Sequence, residues 1–132
     1  MKELGAMWVL GGNTFVLRKA MHQSGLDEWL QEQRNNPEFV YGGYSAGICV
    51  LTKDLKDIEL MDQPNISPEG YDSTTIWEGL GIVDYAIVPH FETPGHPETE
   101  AAGRQVGYLI ENHKEYKALH DGEVIIMDSD IK

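Results

Sequence analysis

Cysteine is nearly absent. Cys49 stands alone in 132 residues, which excludes an internal disulfide and suits a reducing compartment, so a cytoplasmic location is expected. Positive charge is scarce as well. Ten Lys and Arg face 22 Asp and Glu, a net charge of -12, and such a surface repels the phosphates of nucleic acid and of anionic membranes. No apolar run approaches the roughly 18 residues that cross a bilayer. No basic segment followed by an apolar one opens the chain, so no signal peptide is expected. Asn65-Ile66-Ser67 then matches a glycosylation sequon only by chance. No repeat and no interdomain linker is found, and residues 1–132 are expected to form a single domain.

What the chain does have is alternation of strand and helix signals. The apolar run Met7-Trp8-Val9-Leu10 stops at Gly11-Gly12 and predicts a buried strand. Asn13 or Thr14 can cap the helical pattern that follows, which ends near Gly25. Leu26, Trp29 and Leu30 mark a second short helix. Phe39-Val40-Tyr41 predicts the next strand, and residues 46–51 a helix. Residues 53–75 read as strand fragments and loop. A third strand is predicted at residues 85–88, a helix from Pro97, and short strands at 116–119 and 124–127 on either side of Asp121-Gly122. This order predicts an α/β sandwich with a largely parallel sheet.

Between the second strand and its helix stands Gly43-Tyr44-Ser45-Ala46-Gly47. Gly-x-Ser-x-Gly is common by chance, but strand, sharp turn and helix are the context of a nucleophile elbow. A serine hydroxyl is a weak nucleophile at neutral pH and needs a base and oxyanion donors. The Ala46 amide at the helix start is one candidate donor. The Gly11-Gly12 loop offers another, because glycine lets a substrate oxygen come close to the backbone. Of five histidines, His22, His113 and His120 read as solvated. His90 directly follows a buried strand and is the better base, with His96 in the Pro/Gly loop beyond it. His90 and His96 lack a third ligand at a recognisable spacing, so no metal and no cofactor are expected. Asp54, Asp57, Glu59 and Asp62 are all open as the acid that orients the base.

Three segments, "LGGNTFVLRKAM" (10–21), "YGGYSAGICVL" (41–51) and "VPHFE" (88–92), resemble in order the peptidase E family of serine peptidases, which includes α-aspartyl dipeptidases and cyanophycinases. The resemblance implies a three-layer α/β sandwich similar to class I glutamine amidotransferases. It implies Ser45 as nucleophile, His90 as general base, and the Gly12 and Ala46 amides as the oxyanion hole. "MDQP" (61–64) resembles the family's acidic segment and favours Asp62 as the third residue, with Asp57 and Glu59 as alternatives. Asn13, within the first motif, falls in the substrate-binding set. The chain departs from the family where aspartyl dipeptidases carry a substrate-holding arginine in a Glu-Thr-Arg segment. Here Glu98-Thr99-Glu100 stands instead, and Arg104, one turn on, is the substitute cation.

The first motif begins at residue 11, earlier than in the family, so the chain resembles the central part of the fold, truncated at its N-terminus. The reading is a cytoplasmic serine peptidase that cleaves short peptides. Its rival is a non-catalytic remnant that binds a small ligand or a protein partner. A first strand with no strand before it implies a bare sheet edge, and with it a homo-oligomer.

Overall fold

The computed structural model describes residues 5–127. Its first unit is strand β1 (Ala6–Val9), helices α1 (Thr14–Ser24) and α2 (Leu26–Gln33), and strand β2 (Val40–Gly43). β2 lies parallel to β1, with Ala6 opposite Val40 and Val9 opposite Gly43. Asn13 is the cap that starts α1, its Oδ1 accepting from the amides of Phe15 and Val16. Gly25, at φ 80°, ends α1 and begins α2. Only glycine takes that left-handed turn without strain. Trp8 faces Gly42 across the strand pair, and a Cβ at Gly42 would come within 2.5 Å of the indole.

The second unit repeats the plan. Strand β3 (Ala86–Val88), helix α4 (Thr99–Glu111) and strand β4 (Tyr116–Ala118) follow in order, with β4 parallel to β3. Between the units lie helix α3 (Ala46–Cys49) and a 3-10 turn, Lys56–Leu60. α3 touches β1, β2 and β3 and so joins the two strand pairs. The Cys49 thiol, on α3, lies 3.6 Å from the Ile87 carbonyl of β3.

All strand pairing in the described elements is parallel, as expected, but in two pairs rather than one wide sheet. Residues 124–127 are not a strand. Val124 is 77% and Ile126 91% exposed, so no sheet face takes up their apolar side chains. Burial is concentrated at Met21, Leu30 and Val50, at Phe15, Leu55 and Ile58, and at Val88, Ala102 and Leu109. Each of these side chains other than Ala102 stabilises the fold by about 1.5–3 kcal/mol. No helix among the described residues is long and apolar enough to cross a membrane.

Candidate active site

All four strands run the same way within their pairs; the segments just beyond β1, β2 and β3 line one cleft, and the segment beyond β4 reaches it through His90. β1 leads into Gly11-Gly12, β2 into Tyr44-Ser45, β3 into His90, and β4 into Asp121. Parallel α/β sheets hold their functional groups at the carboxyl ends of strands. The cleft is open and roughly 580 Å³, with Gly12, Ser45, Asp62, His90 and His96 in its wall. A larger hollow, roughly 860 Å³, lies between α1 and the segment at 70–76, away from these groups.

Ser45 stands at φ 52° and ψ -120°, a left-handed backbone that a serine adopts only when its surroundings force it. The neighbouring glycines show the cause. A Cβ at Gly43 would fall 2.8 Å from the Val9 carbonyl oxygen, and one at Gly47 would strike the same atom. The elbow is pressed against β1, and both glycines of Gly-x-Ser-x-Gly are required by that contact. A Cβ at Gly11 would be 3.1 Å from the Ser45 Cβ, so the first glycine loop closes on the serine from the other side. The Tyr41 hydroxyl donates to the Gly47 carbonyl at 2.6 Å and fixes the far end of the turn.

The Ser45 hydroxyl does not cap α3. Its Oγ lies 3.2 Å from His90 Nε2 instead, while His90 Nδ1 lies 2.7 Å from Asp121 Oδ1. His90 has φ 61°, a sharp departure from β3. Thr99 Oγ1 lies 2.7 Å from the His90 carbonyl and anchors that backbone to α4. Asp121 is held in turn, its amide donating to Thr93 Oγ1 at 3.0 Å. Serine, histidine and carboxylate thus form one continuous chain of contacts. The Gly12 and Ala46 amides donate to no group among the described residues. Both are left available as donors near Ser45.

The other expected site residues are placed differently. Asp62 lines the cleft but does not meet His90: its Oδ2 accepts from the Thr14 amide at 2.9 Å and the Thr14 hydroxyl at 2.7 Å. Those two donors bind it to the start of α1, and Asp121 takes the place beside the imidazole. Asp57, the alternative acid, is buried against Gln105, whose Nε2 donates to it at 2.6 Å. Asn13 borders the cleft with both ends engaged. Its oxygen caps α1, and its Nδ2 donates to the Gln63 carbonyl at 3.0 Å. Arg104 lies exposed on α4 and takes no part in the cleft wall.

Sequence reasoning missed two residues. Asp121 was read only as a turn, although it follows β4 as His90 follows β3, and that parallel position is a usable signal. Glu98 carries no site role in the sequence reading, where it is only the acid that precedes Thr99 and the departing Glu100 at the helix start. Its Oε2 lies 3.5 Å from His90 Nε2, and its amide donates to His96 Nδ1 at 3.1 Å. The His90 and His96 rings stack with centroids 3.9 Å apart. Glu98 therefore supplies the third potential ligand that spacing did not reveal beside the two histidines. Cys49 is no rival nucleophile. Burial pushes its thiol well above the usual range, and the nearby Asp62, Asp57 and Glu98 add to the shift.

The model of peptidase family S51 matches residues 1–131. An uncharacterized peptidase of Listeria monocytogenes is 30% identical over 82% of this chain and 53% of its own length. A Drosophila melanogaster protein named as an α-aspartyl dipeptidase is 32% identical over 91% of this chain and 45% of its own. Peptidase E of Streptomyces coelicolor is 29% identical over 97% and 51%. The chain therefore spans about half the length of these curated relatives. A crystal structure from Listeria monocytogenes, described as a Peptidase E protein, superposes with a TM-score of 0.69 at 23% identity. It covers 96% of this chain and 61% of that one, and at such identity supports the fold alone. With the family model matched over nearly the whole chain, the protein belongs to peptidase family S51.

Proposed function

We propose that the chain is a serine-type peptidase acting on short peptides through an acyl-enzyme at Ser45. The observation that carries this is the imidazole of His90, poised between the Ser45 hydroxyl at 3.2 Å and the Asp121 carboxylate at 2.7 Å. Ser45 Oγ attacks the peptide carbonyl carbon as its proton passes to His90 Nε2. The resulting oxyanion is met by the Gly12 and Ala46 amides. Collapse breaks the C–N bond, and His90 returns the proton to the departing amine. Water, deprotonated by His90, then releases the acyl group and restores the serine. Asp121 accepts from the Nδ1–H throughout and balances the imidazolium. The carboxylate in third place is Asp121 and not Asp62. No step calls for a cofactor.

The cleft wall carries Asp62 and Glu98, and among the described residues no Arg or Lys is in it. An acidic first residue therefore finds no cation to hold it, and Arg104 does not supply one. Ala- and Lys-leading dipeptides are expected to be cleaved at least as well as Asp-leading ones. A marked preference for aspartate would show that a cation reaches the cleft.

A fluorophosphonate tests the mechanism itself, since it labels only an activated serine. Labelling of Ser45 at neutral pH, lost in Ser45→Ala with the circular dichroism unchanged, is the expected result. A natively folded protein that takes no label loses the peptidase reading, and the non-catalytic, ligand-binding one replaces it.

A further inference from the structure

The catalytic histidine also belongs to a second constellation. His90, His96 and Glu98 each present a donor atom, and the three atoms lie within 4.8 Å of one another. Two imidazoles and a carboxylate form the donor set of a site for Zn²⁺ or a similar borderline cation. His90 is already arranged as a metal ligand would be. Asp121 at its Nδ1 fixes the ring and leaves Nε2 with its lone pair, the carboxylate–histidine arrangement that supports metal-bound imidazoles. We propose that His90, His96 and Glu98 bind a divalent transition-metal ion that switches the serine chemistry off.

The geometry is near to a site and needs a small closure. Zn–N and Zn–O bonds are about 2.0–2.2 Å, so tetrahedral donors stand roughly 3.3–3.6 Å apart. Glu98 Oε2 is already 3.5 Å from His90 Nε2. His96 must move more, because its ring lies flat on His90 and its Nδ1 accepts from the Glu98 amide at 3.1 Å. Rotating the ring gives up that hydrogen bond, worth about 1 kcal/mol, and the stack on His90, in exchange for a metal–nitrogen bond. Both residues sit where the change is local, His96 in the loop before α4 and Glu98 at the helix start without a side-chain cap bond. Solvent reaches the cleft, so water completes the coordination.

Inhibition follows from the shared atom. The lone pair on His90 Nε2 takes the serine proton, and a metal bound there removes the base. That consequence rests on the peptidase reading; the binding itself does not.

Titration with Co²⁺ tests the binding without any assay of activity. Wild-type protein is expected to develop the visible absorption of four-coordinate Co²⁺, saturating at equimolar metal. Loss of outer-shell partners alone weakens metal sites about 10–100-fold. His96→Ala and Glu98→Gln, each checked by circular dichroism, should therefore weaken binding by at least about tenfold. His113→Ala, at the other end of α4, should change nothing. No saturable band in the wild type, or a band that survives both substitutions, overturns the proposal. In a second arm, equimolar Zn²⁺ should protect Ser45 from the fluorophosphonate, and a chelator should restore labelling. Labelling that continues with the metal site filled overturns the inhibitory role. If Ser45 takes no label even without metal, the peptidase reading fails, and the Co²⁺ titration alone decides the site.

Discussion

Two aspartates near one imidazole differ in what they touch. Asp121 meets His90 Nδ1, whereas Asp62 meets the amide and hydroxyl of Thr14. Their substitutions should separate cleanly. Asp121→Asn should lower kcat by about 10²–10⁴-fold with KM little changed, because the imidazole loses its tautomer control and the partner of its charge. Asp62→Ala should act on stability instead, costing about 1–2 kcal/mol as two donors at the start of α1 lose their acceptor. Steady-state kinetics beside urea unfolding for both variants checks the assignment. A kcat collapse in Asp62→Ala with full activity in Asp121→Asn would reverse it.

Among the elements, the elbow depends on how closely α3 and β1 approach. Gly47, in the first turn of α3, has no room for a methyl group because the Val9 carbonyl of β1 is already there. Gly47→Ala should therefore push α3 from β1, destabilise the protein by more than about 2 kcal/mol and abolish fluorophosphonate labelling. Gly103→Ala on α4 is the matched control, since nothing lies within 4 Å of the added carbon. There the better helix former should stabilise by up to about 1 kcal/mol. Thermal unfolding of the two variants reads both effects. The cap of α1 is a milder case. Asn13→Ala loses two capping bonds and the tie to Gln63, and about 1–2 kcal/mol of stability is expected to go with them.

For the molecule as a whole, acidity is distributed between surface and interior. Burial is the main cause that holds the Asp57 carboxyl above its usual range, and the Gln105 hydrogen bond only partly opposes it. A carboxyl raised in the folded state favours folding most when protonated. Its contribution is thus present in acid and is lost as pH rises from the unfolded value of 3.8 through the folded one. Asp57→Asn should remove that slope and stabilise the protein at pH 7 by about 1 kcal/mol. Urea unfolding at pH 4 and pH 7 reads the difference between the variant and the parent. Association is the other property at this scale. β1 pairs with β2 alone among the described residues, and Trp8, Leu10 and Val40 are more than half exposed nearby. An unpaired edge beside such a patch favours pairing with a second copy. Sedimentation should show a dimer at micromolar concentration that Trp8→Lys dissolves; a monomer across that range leaves the edge without a partner.

The amino-acid sequence determined whatever is local. Asn13 and Gly25 bound α1, and apolar runs mark the three strands β1, β2 and β3. Gly-x-Ser-x-Gly between strand and helix located the elbow, because each of these signals is written in neighbouring residues. His90 was legible for the same reason, as the polar residue that ends a buried strand. The partner of His90 was not. Along the chain Asp62 is the favoured acid and Asp121 reads only as a turn residue, and only the parallel pairing of β4 with β3 carries Asp121 to the imidazole while Thr14 holds Asp62 away. The number of strands in each sheet, the exposure of residues 124–127 and the meeting of Glu98 with two histidines were likewise decided in three dimensions. Each depends on which distant segments pack together, and periodicity within one segment carries no record of that.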